Sequence, residues 1–278
     1  MIRPAEMAEK CASLQKIPMA DIEMEKKQFG SGGFGKVFMA RWNKEDVVVK
    51  IIKADSEEEE EAVKREANLA GSLSHPNVIK LFGITSVKTK RLGIVMEFAE
   101  HGSLDKWIGK IDHDKLTKIA LGIVDGLEYV HSQKVIHRDI KPKNILMCGP
   151  EDDMIPKIAD FGVAKLIERT TSHTSAGDTI YMAPEVSVYT RYSFPADIYS
   201  LAMTFFEMFN EQLIKQASEE VRRFIMGVQR GRTTILESFK VPVHLRNVIE
   251  RGWSEHPEER PTLDEYRSAL CGKIFYYY

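Results

Sequence analysis

Eight residues near the middle of the chain concentrate side chains that could carry out a reaction. Residues 137–144 read His-Arg-Asp-Ile-Lys-Pro-Lys-Asn, and Pro142 makes a continuous helix there unfavourable. Transfer of a group to a hydroxyl needs a carboxylate that takes the proton, a cation near the moving charge, and a metal ligand. Asp139, Lys141 and Asn144 offer these three in order. A solvated polar loop is the alternative, because short motifs also match by chance.

Composition limits the class of protein. The 278 residues are 43% hydrophobic and 29% charged, which is typical of a globular chain long enough for one large domain or two lobes. A formal net charge of −2 argues against a general nucleic-acid surface. Cys11, Cys148 and Cys271 show neither disulfide-framework nor zinc-site spacing, and no apolar stretch suits a membrane span or a signal core. We therefore expect a cytoplasmic protein without nucleic-acid or membrane partners.

A glycine-rich stretch comes before two β-rich runs. Gly30, Gly32 and Gly35 follow the pattern G-x-G-x-x-G, and glycines allow backbone N–H groups to approach phosphate oxygens. In a dinucleotide-binding fold a helix follows such glycines directly. Here residues 37–42 and 47–52 flank a short polar turn instead. This pattern predicts a β-hairpin and disfavours the dinucleotide interpretation, although Asp55 stands about where that fold has its ribose-binding acid.

Lys50 lies inside an apolar, β-branched run and needs a partner, because an unpaired buried charge is costly. After an acidic run at 57–61, Val63, Ala67 and Ala70 share one helical face, on which Glu66 also lies. We predict an ion pair between Lys50 and Glu66. Two unrelated surface charges are the alternative.

The remaining patterns complete two lobes. Residues 1–20 are weakly patterned and are expected to form an arm. Residues 21–99 form a smaller lobe, whose antiparallel sheet gains strands at 78–84 and 92–98. A turn-prone hinge leads to a larger lobe of residues 100–272, and residues 273–278 form an aromatic tail.

The larger lobe contains elements that deliver the reactive loop. Apolar residues at helical spacing between 116 and 130 predict a long amphipathic helix before it. Residues 145–147 and 155–159 predict a hairpin that places Asp160 close behind Asn144. A carboxylate and an amide so placed can share a hard cation such as Mg²⁺. From residue 193 the chain predicts a helix that is apolar nearly all round and therefore buried.

In this order the motifs resemble those of eukaryotic-type protein kinases. The matching segments, spread over residues 29–270, are the glycine-rich loop, the strand lysine, the helix glutamate, the His-Arg-Asp loop, Asp160-Phe161-Gly162 and Ala183-Pro184-Glu185. The resemblance implies an α+β, bilobal protein-kinase-like fold. Its smaller lobe has an antiparallel β-sheet with one main helix, and its larger lobe is mainly α-helical. It also implies transfer of the γ-phosphate of ATP to protein substrates, with Mg²⁺ required.

The resemblance also assigns roles to individual residues. Lys50, paired with Glu66, would hold the α- and β-phosphates. Asp139 would accept the proton of the substrate hydroxyl, and Lys141 would stabilise the transferring phosphoryl group. Magnesium would bind to Asn144 and Asp160. ATP would lie between the lobes against Gly30, Ser31, Gly32, Gly33, Phe34, Gly35, Val37, Val48, Lys50, Met96, Glu97, Ala99 and Leu146.

Other positions are given supporting roles. Asp197 would anchor the backbone of the 137–144 loop, and Glu185 would pair with Arg260. The local sequences around Lys141 and Thr179 resemble those of serine/threonine kinases. The resemblance places Thr179 among the catalytic residues. Features that resemble the tyrosine-kinase-like group of these kinases are Ile17-Pro18 with Asp21, Trp42, and Trp253 with Arg260-Pro261-Thr262.

Regulation is expected from two features. A hydroxyl-rich segment follows Asp160, and Arg138 could pair with a phosphate on it; a plain mobile linker is the alternative. Ala70 stands where related kinases often have a larger residue, so the helix that carries Glu66 would be loosely held. An activating partner or an upstream kinase is therefore expected. The candidate phosphosites are Thr170, Thr171, Ser172, Thr174 and Ser175.

Two other functions remain open from the sequence. A catalytically silent scaffold with the same fold would be favoured by loss of Lys50, Asp139 or Asp160, all of which are present. A small-molecule phosphotransferase is the second, and residues 183–185 argue against it, because in related kinases this segment shapes a peptide-binding ledge.

Overall fold

The computed structural model describes residues 14–32, 35–88, 90–161, 179–189, 193–211, 227 and 239–272. The chain divides into two compact units, one of residues 1–99 with 160–173 and one of residues 100–159 with 174–278. Several predicted residues lie outside the described ranges and remain predictions. They are residues 1–13 of the arm, Gly33, Phe34, Gly162, Thr170, Thr171, Ser172, Thr174, Ser175 and the tail at 273–278.

The first unit is built on a six-stranded sheet. Its strands are β1 (Gln15–Lys16), β2 (Glu23–Gly32), β3 (Gly35–Trp42), β4 (Glu45–Lys53), β5 (Leu81–Lys88) and β6 (Arg91–Glu97). Their order across the sheet is β1-β5-β6-β4-β3-β2, and only β1 and β5 form a parallel pair. The predicted hairpin is confirmed as β3 and β4. The sheet is mixed rather than purely antiparallel, because residues 15–16 of the predicted arm add a strand at its edge.

Helix α1 (Glu57–Gly71) covers one face of this sheet. Ser56 caps its first turn by accepting the backbone N–H of Glu59, which satisfies a donor that the helix itself cannot pair. The predicted apolar face is confirmed, because Val63, Ala67 and Ala70 are buried. Val63 and Ala67 join one apolar cluster with sheet residues that include Val48, Ile52, Leu92, Ile94 and Met96.

The other face of the sheet has its own apolar cluster. Side chains alternate along a strand, so Val47 and Val49 of β4 point away from the face that α1 covers. They pack with Ala40 and Val95, and also with Ile17 and Ile22 from the segment that precedes β2. The residues predicted as an arm thus cover part of the sheet.

The second unit is mainly helical within the described residues. Its helices are α2 (His113–Ser132), α3 (Pro184–Tyr189), α4 (Phe194–Phe209), α5 (Val243–Gly252) and α6 (Leu263–Leu270), and its hairpin consists of β7 (Ile145–Cys148) and β8 (Ile155–Ile158). Every residue of α4 from 196 to 209 is buried, which confirms the helix predicted to be apolar all round. Across the described parts of the chain, each helix is too short or too polar to cross a membrane.

Helix α2 ends in a hydrogen-bonded turn that directs the chain toward the 137–144 loop. Lys134 has a left-handed backbone with φ 64°. Its N–H donates to the carbonyl of His131 over 3.0 Å, and the N–H of Val135 donates to the carbonyl of Val130 over 3.2 Å. This pair of bonds is the Schellman motif, which closes the helix and turns the chain away from its axis. Val135 is buried directly beyond it.

The left-handed backbone at Lys134 generates a stability prediction. A residue with a Cβ atom costs about 1 kcal/mol in this conformation, and glycine avoids most of that cost. We therefore expect Lys134→Gly to raise the melting temperature. The same substitution at Lys118, an exposed residue inside α2, should lower it, because glycine in a helix interior costs about 1 kcal/mol. Thermal unfolding of both variants beside the parent checks this; a loss at both positions would contradict the prediction.

Candidate active site

One buried carboxylate holds the backbone of the 137–144 loop. Asp197 lies in the first turn of α4 and is completely buried. Its Oδ1 accepts the N–H of Arg138 and its Oδ2 accepts the N–H of His137, each over 2.8 Å. The Nε2 atom of His131, in the last turn of α2, lies 2.8 Å from the same Oδ2. The anchoring role predicted for Asp197 is confirmed.

His137 links the loop to the end of β8. Its Nδ1 accepts the N–H of Asp139 over 3.2 Å, so a neutral ring carries its proton on Nε2. Nε2 then donates to the carbonyl of Ala159 over 2.9 Å. The N–H of Ala159 in turn donates to the carbonyl of Asn144 over 2.8 Å. The loop is therefore fixed at both ends to the residue that precedes Asp160.

The three side chains predicted to do the chemistry meet inside this loop. Lys141 Nζ lies 2.9 Å from Asp139 Oδ2, and these side chains are only 6% and 5% exposed. Asn144 Nδ2 donates to the same Oδ2 over 2.6 Å and to the carbonyl of Asp139 over 2.8 Å. Pro142 begins the 3-10 turn that folds Asn144 back toward Asp139. The Asp139 carboxylate is thus held in one orientation by two donors.

The first unit contains a second ion pair, between Lys50 and Asp160. Lys50 Nζ lies 2.6 Å from Asp160 Oδ1, with the two side chains 8% and 30% exposed. Lys50 is two residues from both Val48 and Ile52 along β4, so it points to the same face as they do, the one that α1 covers. Glu66 is half-buried on that helix. The face is therefore the predicted one, and the Lys50–Glu66 ion pair itself stays a prediction.

Backbone conformation marks the same two segments. Arg138 has φ 72° and Asp160 has φ 63°, which is the left-handed region. A residue with a Cβ atom costs about 1–3 kcal/mol there and persists only when its surroundings fix it. The bond from Arg138 to Asp197 does so for the loop. Among the described residues the same conformation occurs in turns and at helix ends, at Asn43, Lys44, Lys90, Lys134 and Glu211.

A family comparison decides what the site belongs to. The family model described as "Protein kinase domain" matches residues 24–270. The chain belongs to the protein kinase family. This confirms the predicted α+β fold class and the resemblance to eukaryotic-type kinases, and the sheet topology agrees with it.

Curated relatives point to the serine/threonine class of kinases. Mitogen-activated protein kinase kinase kinase 10 of Mus musculus is 31% identical over 261 residues, which are 89% of this chain and 27% of the relative. A probable serine/threonine-protein kinase of Dictyostelium discoideum is 30% identical over 273 residues, 93% of this chain and 20% of the relative. The resemblance to serine/threonine kinases of the tyrosine-kinase-like group is confirmed.

A plant relative matches a shorter stretch. A leaf rust 10 disease-resistance locus receptor-like protein kinase-like protein of Arabidopsis thaliana is 40% identical over 189 residues, 63% of this chain and 28% of the relative. The chain spans between 20% and 28% of the length of these three curated relatives.

The residues that the kinase resemblance assigns to ATP lie on several elements. Val48 of β4 and Met96 of β6 are opposite each other in the sheet and buried in the same apolar cluster as Ile52. Val37 is opposite Lys50. The other described candidates are Gly30, Ser31, Gly32 and Gly35 in the β2–β3 hairpin, Glu97 and Ala99 at the end of the first unit, and Leu146 in β7.

The glycine motif of the kinase hairpin has a packing reason as well as a chemical one. A Cβ atom at Gly35 would lie 2.3 Å from the carbonyl oxygen of Ile51 in β4. This glycine is therefore needed for the close approach of β3 to β4. Space next to a backbone that lacks side chains also suits phosphate oxygens, so the residue fits both requirements.

A bidentate ion pair fixes the kinase segment at 183–185. The guanidinium of Arg260 donates to both carboxylate oxygens of Glu185, over 2.7 and 2.8 Å, which confirms the predicted pair. It also lies 5.3 Å from the centre of the Tyr199 ring, and burial raises the pKa of that tyrosine to about 12. Thr179 begins the 3-10 turn that leads into this segment.

Sequence reasoning missed three of these contacts. No role was predicted for His131, although it continues the apolar stripe of α2 four residues after Leu127 and so was recognisable as facing inward. The part of His137 in joining Asp139 to Ala159 was also missed. The Lys50–Asp160 bond joins residues 110 positions apart and has no local signal.

The Asp197 anchor gives a prediction about stability. Asparagine has only one acceptor oxygen at this position, so Asp197→Asn leaves a buried donor of the loop unsatisfied. We expect a loss of about 1–3 kcal/mol in unfolding free energy, together with a slower phosphorylation reaction. Asp153→Asn, at an exposed position in the β7–β8 turn, should change stability by less than about 0.5 kcal/mol. Chemical denaturation measures both, and equal stabilities would contradict the anchoring role.

Proposed function

We propose that this chain is a serine/threonine protein kinase that transfers the γ-phosphate of ATP to Ser or Thr hydroxyls of protein substrates. The observation that carries the proposal is the buried arrangement of Asp139, Lys141 and Asn144 in a member of the protein kinase family. A carboxylate held by a cation and an amide is oriented before any substrate binds. Such pre-organisation is how an enzyme lowers the barrier of a transfer reaction.

Asp139 is proposed as the group that orients the substrate hydroxyl and takes its proton. Its Oδ2 accepts from Lys141 and Asn144, which hold the carboxylate in one orientation. A positioned base of this kind contributes about a hundredfold to ten-thousandfold to the rate. Lys141 is proposed to stabilise the negative charge of the transferring phosphoryl group, since its ammonium lies beside the same carboxylate.

The donor atoms fit the magnesium ions that protein kinases generally use. The side-chain Nδ2 of Asn144 donates both of its hydrogen bonds to Asp139. Its side-chain carbonyl oxygen is the atom that would bind a hard cation. Asp160 offers a partly exposed carboxylate in the first unit. We propose these two residues as the magnesium ligands. When bound, Mg²⁺ neutralises phosphate charge.

Lys50 is proposed to bind the α- and β-phosphates of ATP. Lys50 is buried on a central strand of the sheet, and its 2.6 Å contact with Asp160 Oδ1 fixes the direction of its side chain. Thr179 is proposed to act with the catalytic loop, as in the serine/threonine kinases that this chain resembles.

Phosphate transfer by the chain itself gives the first experiment. The purified, phosphatase-treated chain is incubated with ATP and Mg²⁺, and intact mass and phosphosite mapping follow the product. Phosphate on Ser or Thr is expected in the parent and in the exposed control Asp153→Asn. Asp139→Asn should be at least about a hundredfold slower while still binding ATP. Equal rates in Asp139→Asn and the parent would contradict the assignment of the base.

Lys50→Met separates nucleotide placement from proton transfer. The substitution removes the proposed phosphate ligand and leaves Asp139 in place. We expect weaker productive binding, seen as a higher KM for ATP together with a lower kcat. If ATP binds but neither variant nor parent transfers phosphate, the catalytically silent scaffold replaces the kinase as the explanation.

Phosphorylation of the hydroxyl-rich segment is proposed as the regulatory step, performed by the chain itself or by an upstream kinase. Added phosphate would be drawn to Arg138 in the catalytic loop and would order the segment. Replacing Thr170, Thr171, Ser172, Thr174 and Ser175 together by alanine is expected to lower activity toward an added protein substrate. Unchanged turnover in that variant would remove the regulatory proposal and leave the proposed catalytic activity intact.

A further inference from the structure

A short segment before the main body of the sheet contacts both α1 and β5. We name residues 14–17 the N-terminal clasp. The N–H of Leu14 donates to Asn68 Oδ1 of α1 over 2.8 Å. Gln15 and Lys16 pair with β5, and the N–H of Ile17 donates to the carbonyl of Ile84 over 2.9 Å. The clasp therefore joins the end of the helix to the edge of the sheet.

Two side chains of the clasp, Leu14 and Ile17, also pack against the rest of the first unit. Ile17 is 2% exposed and belongs to the apolar cluster on the face of the sheet opposite α1. Leu14 packs against the cluster that contains Val63 and Ala67. One segment thus contributes to the apolar packing on both faces of the sheet.

Two glycines, one in α1 and one in β5, adjoin the clasp. Gly71 ends α1, where a Cβ atom would lie 2.4 to 2.8 Å from three side-chain atoms of Leu14. Gly83 lies within β5, where a Cβ atom would lie 2.4 Å from the carbonyl oxygen of Gln15. Glycine weakens helices and strands, because its backbone loses the most freedom on folding. Room for the clasp is the physical reason for both glycines.

The position of the clasp matters because of what α1 carries. Glu66 lies two residues before Asn68 and five residues before Gly71 on the same helix. The buried stripe beneath that part of α1 consists of Ala67 and Ala70, whose side chains are small and bury little apolar surface. The contacts that the clasp makes with Asn68 and Gly71 therefore add to the packing that holds this end of the helix.

We propose that the N-terminal clasp is a positioning device that fixes the end of α1 on β5 and so sets the placement of Glu66 for phosphate transfer. Leu14 and Asn68 are its positioning residues, acting through α1 and not on the substrate. The inference rests on the proposed kinase function and deepens it. It identifies a segment of this chain that does part of the work otherwise expected of an activating partner.

The hydrogen bond to Asn68 provides the first test. Asn68→Ala removes the acceptor for the Leu14 N–H, whereas Asn68→Asp keeps an acceptor oxygen in place. We expect Asn68→Ala to lower kcat by at least about threefold, a size typical of residues that act through coupling. Asn68→Asp should recover most of that loss, and Arg65→Ala, an exposed change on the same helix, should leave kcat unaltered. Rates are measured well below the melting temperature of every variant.

A readout that does not need catalysis accompanies the rates. Amide hydrogen exchange of α1 residues 60–71 should become faster in Asn68→Ala and return toward the parent in Asn68→Asp. If kcat and exchange in Asn68→Ala both match the parent, the clasp does not position the helix and the proposal is overturned.

A double-mutant cycle between Leu14 and Gly71 tests the packing. Gly71→Ala should displace Leu14 and speed exchange in α1, as should Leu14→Ala. In the double variant the new methyl group occupies the space that Leu14 leaves, so exchange should be no faster than in either single variant. Additive effects would show that the two residues do not act through one contact.

The cycle and the exchange data separate failure of the clasp from failure of the kinase assignment. If neither parent nor variants transfer phosphate, the proposed function fails, and exchange in α1 still shows whether the clasp holds the helix. If the parent is active and exchange responds while kcat stays constant in every clasp variant, the kinase assignment stands and the positioning proposal is overturned.

Discussion

One buried carboxylate holds the loop of residues 137–144 in place. Asp197 has no exposed surface, so its charge must be balanced by hydrogen bonds, and the backbone N–H groups of His137 and Arg138 supply two of them. Because Asp197 belongs to α4 and His131 to α2, the loop cannot move away from either helix without exposing a buried charge. The helix that carries Asp197 is buried at every residue from 196 to 209, so the anchor belongs to the core of the second unit.

Hydrogen-bonded pairs of acids and bases also hold the side chains that are proposed to take part in phosphate transfer. Asp139 is held by Lys141 and Asn144, and Lys50 is held by Asp160, so in each unit an acid and a base define each other's position. Buried pairs contribute little net stability, because desolvation offsets much of their attraction. Their value lies in fixed geometry. The left-handed backbone of Arg138 and Asp160 also indicates fixed geometry, because a strained conformation persists only where neighbouring residues enforce it.

Strong periodic patterns made much of this fold predictable. The β3–β4 hairpin, the buried face of α1, helix α2 and the all-round apolar α4 each repeat one signal over several turns or strand residues. A short strand and a contact between distant residues were not predicted from the sequence. Strand β1 has only two residues, and the strand predicted from residue 78 begins at Leu81, because Val78 closes a turn with His75. The contact of Lys50 with Asp160 spans 110 positions and depends on the tertiary fold alone.

Gly71 and Gly83 lie far apart in the chain but adjoin one short segment. Without that segment, alanine at the helix end and a β-branched residue in the strand would be the more stable choices. A side chain added at either position would therefore disturb that segment as well as the element that carries it. Two residues within the range matched by the kinase family model thus record in their own lack of a side chain the course of a segment that precedes it.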